Sequence, residues 1–332
     1  MSRKNWLYEN CNVKFALGAI LIACLSATTA FGLGERATPV RDATIYVSPD
    51  GSSAKLGSAE RGREMVILET SGEWLHVEAM LGNPIRDEAY EGDDEDSGKT
   101  ISGWIRARNA VRATTPDGDK VIYGEAVDSE DQASRSRGRH GAAQDAMRLY
   151  YRVADLFPTS PLAAQATYRS ADIRWQLDKP DVMSKRSAHE REAYLRGQIE
   201  ERWMKEVMKK FPGTKWADLA AFHLIDNKLC GDWQGSSKCP VKEADIYEKY
   251  AADHPQSPAA PEALYDAAWR YAALIEIYKT EDQAKKSEES KARAMAVAQK
   301  VAAQTSQPDW AARAQRLLYL LQQGVPAYGN EE

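Results

Sequence analysis

Three short turns in this chain are written alike. Phe157-Pro158-Thr159-Ser160 returns as Phe211-Pro212-Gly213-Thr214 and again as His254-Pro255-Gln256-Ser257, and one downstream grid follows each copy. An alanine stands five residues after every proline (Ala163, Ala217, Ala260), another eight after it (Ala166, Ala220, Ala263), and an aromatic ring ten after it (Tyr168, Phe222, Tyr265). A proline that stops one helix, a Ser or Thr that caps the next, and alanines three apart on one face predict a helical hairpin at each copy. Methyl groups let a neighbouring helix approach closely, and the ring fills the space beside them. Upstream of the turns lie the partner helices, apolar at Leu149, Val153 and Leu156, at Trp203, Val207 and Met208, and at Ile246, Tyr247 and Tyr250. Hairpins that cannot bury their faces alone stack into a solenoid.

The turns resemble tetratricopeptide-type (TPR) repeats of the variant whose helices are joined by an aromatic-Pro-x-Ser/Thr turn. BamD-like outer-membrane assembly lipoproteins and TolB-associated coordinator proteins use that turn. The resemblance covers 142–323 and implies an all-α helical-repeat solenoid of a kind that binds other proteins in a concave groove and rarely catalyses. One departure is spacing: Pro158 to Pro212 is 54 residues and Pro212 to Pro255 is 43, against the usual ~34. The extra length falls around Asp178 to Gly197 and around Cys230 to Val241. A degenerate fourth pair, Ala292 to Gln304 then Asp309 to Leu321, reads as a terminal cap, with a tail at 324–332.

The other end of the chain addresses a membrane. No residue from Phe15 to Gly34 is charged, while Arg3, Lys4 and Lys14 precede the run. The segment 1–34 admits three readings. Leu21-Ile22-Ala23-Cys24 matches the bacterial lipobox, which makes Cys24 the candidate for lipidation; a signal cleaved near Thr28-Thr29-Ala30 and an uncleaved anchor are the others. Each places the body of the protein across the cytoplasmic membrane. The expectation is a periplasmic protein, held by a lipid or a single span, or secreted free.

Between the two regions the text changes. Over 37–113 short β-rich runs (Thr44 to Val47, Glu64 to Glu69, Trp74 to Val77, Gly103 to Ile105) alternate with Pro-Asp-Gly-Ser and Ser-Gly-Glu turns, which predicts a small all-β barrel. The run resembles the bacterial SH3-like (SH3b) family: an opening Pro39-Val40-Arg41, a Leu56-Gly57 turn, Arg61-Gly62-Arg63 before a hydrophobic strand, then Gly72-Glu73-Trp74-Leu75-His76-Val77 and a closing Gly103-Trp104-Ile105. That resemblance implies binding of peptides or peptidoglycan, or mere spacing. Trp74 is expected in the core, and Trp104 is open to both readings, a core ring or a ligand surface. An acidic insertion at 81–101 departs from the family and sits where it can cover the usual binding edge. Asp93-Asp94-Glu95-Asp96 lacks the ligand spacing of a calcium loop and reads as a solvated loop.

Composition narrows the partners. With 44 Lys and Arg against 49 Asp and Glu the chain carries a net charge of -5 and no basic stripe, which disfavours nucleic acid. The Ser/Gly-rich stretch around Arg135, Arg137 and Arg139 makes 114–141 a loosely ordered linker. Cys230 and Cys239 are the only thiols beyond the N-terminal segment, and in an oxidising compartment a disulfide across their turn-rich loop is the expectation; two thiols without further ligands do not make a metal site. No Gly-rich phosphate loop or Gly-x-Ser-x-Gly elbow is present, and His189-Glu190 lacks a second His. His254 replaces Phe157 and Phe211 and so reads as packing. No enzyme, cofactor or metal is expected. The sequence points to a multidomain envelope scaffold, an SH3-like barrel plus a TPR-like solenoid, binding protein partners; a peptidoglycan-binding module that positions a cell-wall hydrolase is the alternative.

Overall fold

The computed structural model describes residues 34–80, 99–304 and 306–328; the N-terminal segment with Cys24 and nearly all of the acidic insertion lie outside them. Seven antiparallel strands come first: β1 (Glu35–Pro39), β2 (Ala43–Tyr46), β3 (Lys55–Ala59), β4 (Met65–Ser71), β5 (Trp74–Met80), β6 (Thr100–Arg106) and β7 (Ala110–Arg112). They form one sheet in the order β3-β2-β6-β5-β4-β1-β7, curled into a half-barrel. Register shifts after Ile45 and after Ile67 add the local twist that bends a sheet. The inner pleat buries Ala43 and Ile45, Met65 and Ile67, Leu75, Val77 and Ala79, and Ile105, the period-2 alternation expected of strands with one dry face.

One expectation changes here. Leu56 and Gly57 are strand residues in β3, not a turn; Gly57 lies against Ile101 of β6, whose Cδ1 would stand 3.1 Å from an added Cβ, so a glycine lets the edge strand curl toward β6. Trp74 is buried as expected, 7% exposed, though outside the cluster of the inner pleat. It points from the opposite pleat, covered by the Arg106 guanidinium 4.0 Å from its ring centroid.

Among the described residues nine α-helices follow. The first, α1 (Gly118–Ser134), occupies the stretch expected to be a linker, and that expectation is corrected. Gly118, Ile122, Ala126 and Ser129 form a buried stripe along it, at helical spacing. An added Cβ on Gly118 would come within 2.5 Å of the Phe157 ring, so the glycine admits the first turn's aromatic. Then come α2 (Ala142–Leu156), α3 (Ala163–Met183), α4 (Arg202–Lys210), α5 (Lys215–His223), α6 (Lys238–Asp253), α7 (Ala260–Thr280), α8 (Ala284–Ala302) and α9 (Pro308–Gln323). The last pair starts at Ala284, eight residues before Ala292, and α3 runs five residues past Asp178, so part of the first insertion is helix. None of the described helices is long and apolar enough to cross a membrane.

The three turns work as their chemistry dictates. Phe157, Phe211 and His254 cap α2, α4 and α6, their amides bonded to the carbonyls of Val153, Val207 and Tyr250. Thr214 caps α5 by accepting from Ala217 N–H, while the Ser160 and Ser257 hydroxyls accept from Leu162 and Ala259 one step before their helices. Five of the six grid alanines are at most 5% exposed and Ala217 is 7% exposed. Tyr168 is buried, whereas Phe222 and Tyr265 are half-buried.

Sheet and helices belong to one compact unit. Arg148 and Arg152 on α2 donate from Nε to the carbonyls of Arg61 and Gly62, at 2.9 and 3.1 Å. Arg152 also pairs with Glu64 and Asp155, and Arg36 of β1 pairs with the same two carboxylates. Gly62 has a φ of +72°, and a Cβ there would reach 2.6 Å from Arg148 Cβ; only glycine suits both the conformation and the contact.

Candidate functional site

The outer pleat of the sheet is aromatic. Cross-strand pairing sets His76 opposite Trp104, and Trp74 opposite Arg106, while β2 brings Tyr46 opposite Trp104. Trp104 and His76 stack with centroids 4.9 Å apart and planes 16° apart, and Tyr46 meets Trp74 edge-on at 5.5 Å. His76 Nε2 lies 3.2 Å from the Ser102 hydroxyl. Arg106 is held over Trp74 by Glu73 at 3.0 Å. Trp104 is half-buried, so the face offers a flat ring flanked by a guanidinium, a hydroxyl and an imidazole. Such a surface can stack on a sugar ring, a proline or an aromatic side chain and hydrogen-bond beside it. The sequence separates Tyr46 from Trp104, and alternation within each strand is the signal that joins them.

On the helices the conspicuous titratable cluster is Tyr168, Asp172 and His223. The phenol lies 3.2 Å and the carboxylate 3.3 Å from one ring nitrogen, His223 Nε2. A proton relay uses both ends of the imidazole; here both partners meet the same nitrogen, which is how a packed histidine is satisfied. Burial pushes His223 below its ordinary pKa of 6.5 despite Asp172 beside it. His254 sits at its turn, bonded from Nδ1 to Asp218 at 2.8 Å and lying against Tyr250. No group of three His, Cys, Asp or Glu side chains among the described residues is placed to hold a metal.

The two insertions, read in the sequence as separate additions, pack on one another. Cys230 and Cys239 form a disulfide, Cα atoms 6.0 Å apart. The loop they close meets the first insertion backbone to backbone: Gly231 N–H donates to Glu190 and Asp232 N–H to His189. Arg196 donates to the carbonyls of Ala188, Leu229 and Cys230. At the centre is Glu243, 1% exposed, which accepts from Cys230 N–H and Trp233 Nε1 and from Arg270 at 3.0 Å. A buried carboxylate persists only when partnered in this way.

Compared with protein-family models and with curated proteins, the chain matches none.

Proposed function

We propose that the protein is a non-enzymatic scaffold of the cell envelope, binding a protein partner on TPR-like helical repeats with an SH3-like sheet as accessory module. One observation carries the reading: the same turn, cap and alanine grid builds three successive hairpins, and repetition of this kind produces an extended surface rather than a cleft. The arginine joint between sheet and α2 supports it further, since a rigid union of the two parts would present both surfaces to one assembly. The uncharged run from Phe15 to Gly34 after Arg3, Lys4 and Lys14 supports the envelope part of the reading.

Site-specific photo-crosslinking in intact cells tests it. A crosslinker replacing exposed Gln144 of α2 or Lys209 of α4 is expected to trap one and the same envelope protein, and one replacing Thr70 on the sheet hairpin is not. Helical positions that trap nothing beyond background would end the scaffold reading.

The Trp104–His76 face favours a second reading, recognition of peptidoglycan, because flat rings stack on sugars. Sedimentation with purified sacculi separates the two: retention that is lost on Trp104→Ala supports peptidoglycan, and a protein that stays in the supernatant rejects it.

A further inference from the structure

Three rings meet where the second insertion faces the chain's last described residues. Trp233 of the disulfide loop and Trp269 of α7 have centroids 5.5 Å apart. Tyr328 lies 5.4 Å from Trp233 and edge-on to Trp269 at 6.3 Å. All three are half-buried, so the group is reachable from solvent.

The two tryptophans are held independently of the tyrosine. Trp233 is fixed by its Nε1 bond to Glu243 at 3.1 Å, inside a loop closed by the Cys230–Cys239 disulfide and pinned at Gly231 and Asp232. Trp269 is carried on α7, with the Arg270 guanidinium 5.5 Å from its ring and anchored in turn by Glu243 and Asp266. The tyrosine arrives differently. Helix α9 ends at Gly324, whose φ of +72° turns the chain back, and Val325 N–H closes that turn on Leu320. A non-helical Val325-Pro326-Ala327-Tyr328 segment then reaches the tryptophans. A preformed pair of rings receiving a third from a non-helical segment is the arrangement of a receptor and a tethered ligand, because each tryptophan keeps its own support without the tyrosine.

We infer that Trp233 and Trp269 form an aromatic clamp for a short non-helical peptide segment bearing a tyrosine, and that Tyr328 occupies it in cis. A partner's tyrosine-bearing segment gains the clamp by displacing the tail. The inference deepens the scaffold reading and rests on it for the existence of a partner. The clamp itself can be tested without one.

The probe is a fluorescein-labelled peptide of the chain's own residues 324–332, Gly-Val-Pro-Ala-Tyr-Gly-Asn-Glu-Glu, added in trans to full-length protein and followed by anisotropy. A short tether gives an effective concentration on the order of millimolar. The wild-type chain is therefore expected to bind the probe about tenfold more weakly than a Tyr328→Ala chain whose clamp is vacant. Binding to that variant is expected to vanish when the probe's tyrosine is replaced by alanine, a control that alters no residue of the protein, and when Trp233→Ala is added. Equal affinity of the wild-type and Tyr328→Ala chains, no binding to either, or equal binding of the alanine probe overturns the clamp. These failures leave the crosslinking result untouched, so the two readings fall separately.

Discussion

Arg152 Nε, on helix α2, donates to the carbonyl oxygen of Gly62 across 90 residues of sequence. The side chain is 3% exposed, and its remaining partners are Glu64 and Asp155, each shared with Arg36. Replacing Arg152 by methionine keeps the apolar stem, leaves Glu64 and Asp155 to Arg36 alone and takes the side-chain donor from the Gly62 carbonyl. The expected loss is about 1–3 kcal/mol, the range for leaving a buried acceptor unsatisfied. Urea unfolding followed by tryptophan fluorescence and by far-UV dichroism checks it; a loss under about 1 kcal/mol would mean that solvent reaches the joint.

Ile122 gives a cleaner measure of whether α1 belongs to the fold. It is fully buried beside Ala126 and Tyr150 in one cluster, and Ile122→Ala is expected to cost about 2–5 kcal/mol. A loosely ordered linker would tolerate the change within about 0.5 kcal/mol.

The two indoles of the sheet should separate by role. Trp74→Ala removes a buried ring and is expected to cost about 3–5 kcal/mol. Trp104→Ala removes a half-exposed one stacked on His76, for which aromatic pairs contribute about 0.5–1.5 kcal/mol beyond area. Thermal melts of the two variants decide; equal losses would mean that Trp104 is structural and offers no free face.

Reduction of Cys230–Cys239 opens a loop of nine-residue separation, whose closure is worth about 2–3 kcal/mol in the chain-entropy description. Because the Cys230 amide and the Trp233 indole share Glu243, the same treatment is expected to shift tryptophan emission to the red as Trp233 loosens. An unchanged midpoint and spectrum under reductant would show that the hydrogen bonds hold the loop unaided.

Acid acts on the helices in two opposed ways. The unfolded chain protonates His223 near pH 6.5 while the buried imidazole resists, so its stabilisation is complete above that pH and is lost as pH falls below it. Burial raises Glu262 and Asp266 above their ordinary 4.5 and 3.8, Glu262 with help from the Asp266 charge and Asp266 against the pull of Arg270; these groups keep protons that the unfolded chain gives up, so their contribution declines as pH rises past those values. Melting temperature is expected to fall from pH 7 to pH 5 with a slope that His223→Gln flattens. Glu262→Gln should raise it at pH 7, with the gain gone by pH 4. A Glu262→Gln gain that persists at pH 4 would assign the effect to something other than charge.

The hairpins were legible in the sequence because their signals are local: a proline, a cap and two alanines within nine residues write the turn and the packed face together. Helix α1 was hidden because its buried stripe contains one large side chain, Ile122, amid Gly118, Ala126 and Ser129, so its charge content reads as solvated. Strand β3 was hidden by exposure, since four of its five residues lie open and alternation has no dry face to mark. Alternation could place Trp74 on a pleat but not say which pleat is wet. The joint of Arg148 and Arg152 could not be read, because an arginine declares its charge and not its burial, and the carbonyls that receive it lie some 90 residues away.

Strand β1 is paired on both sides, with β4 through Glu35 to Ala37 and with β7 through Ala37 to Pro39, and its Arg36 reaches Asp155 of α2. A mechanical load applied at Gly34 therefore runs along the strand and shears two hydrogen-bonded rows together instead of unzipping one bond at a time. Force entering there is shared among Arg36, Arg148 and Arg152 before it reaches helix α2.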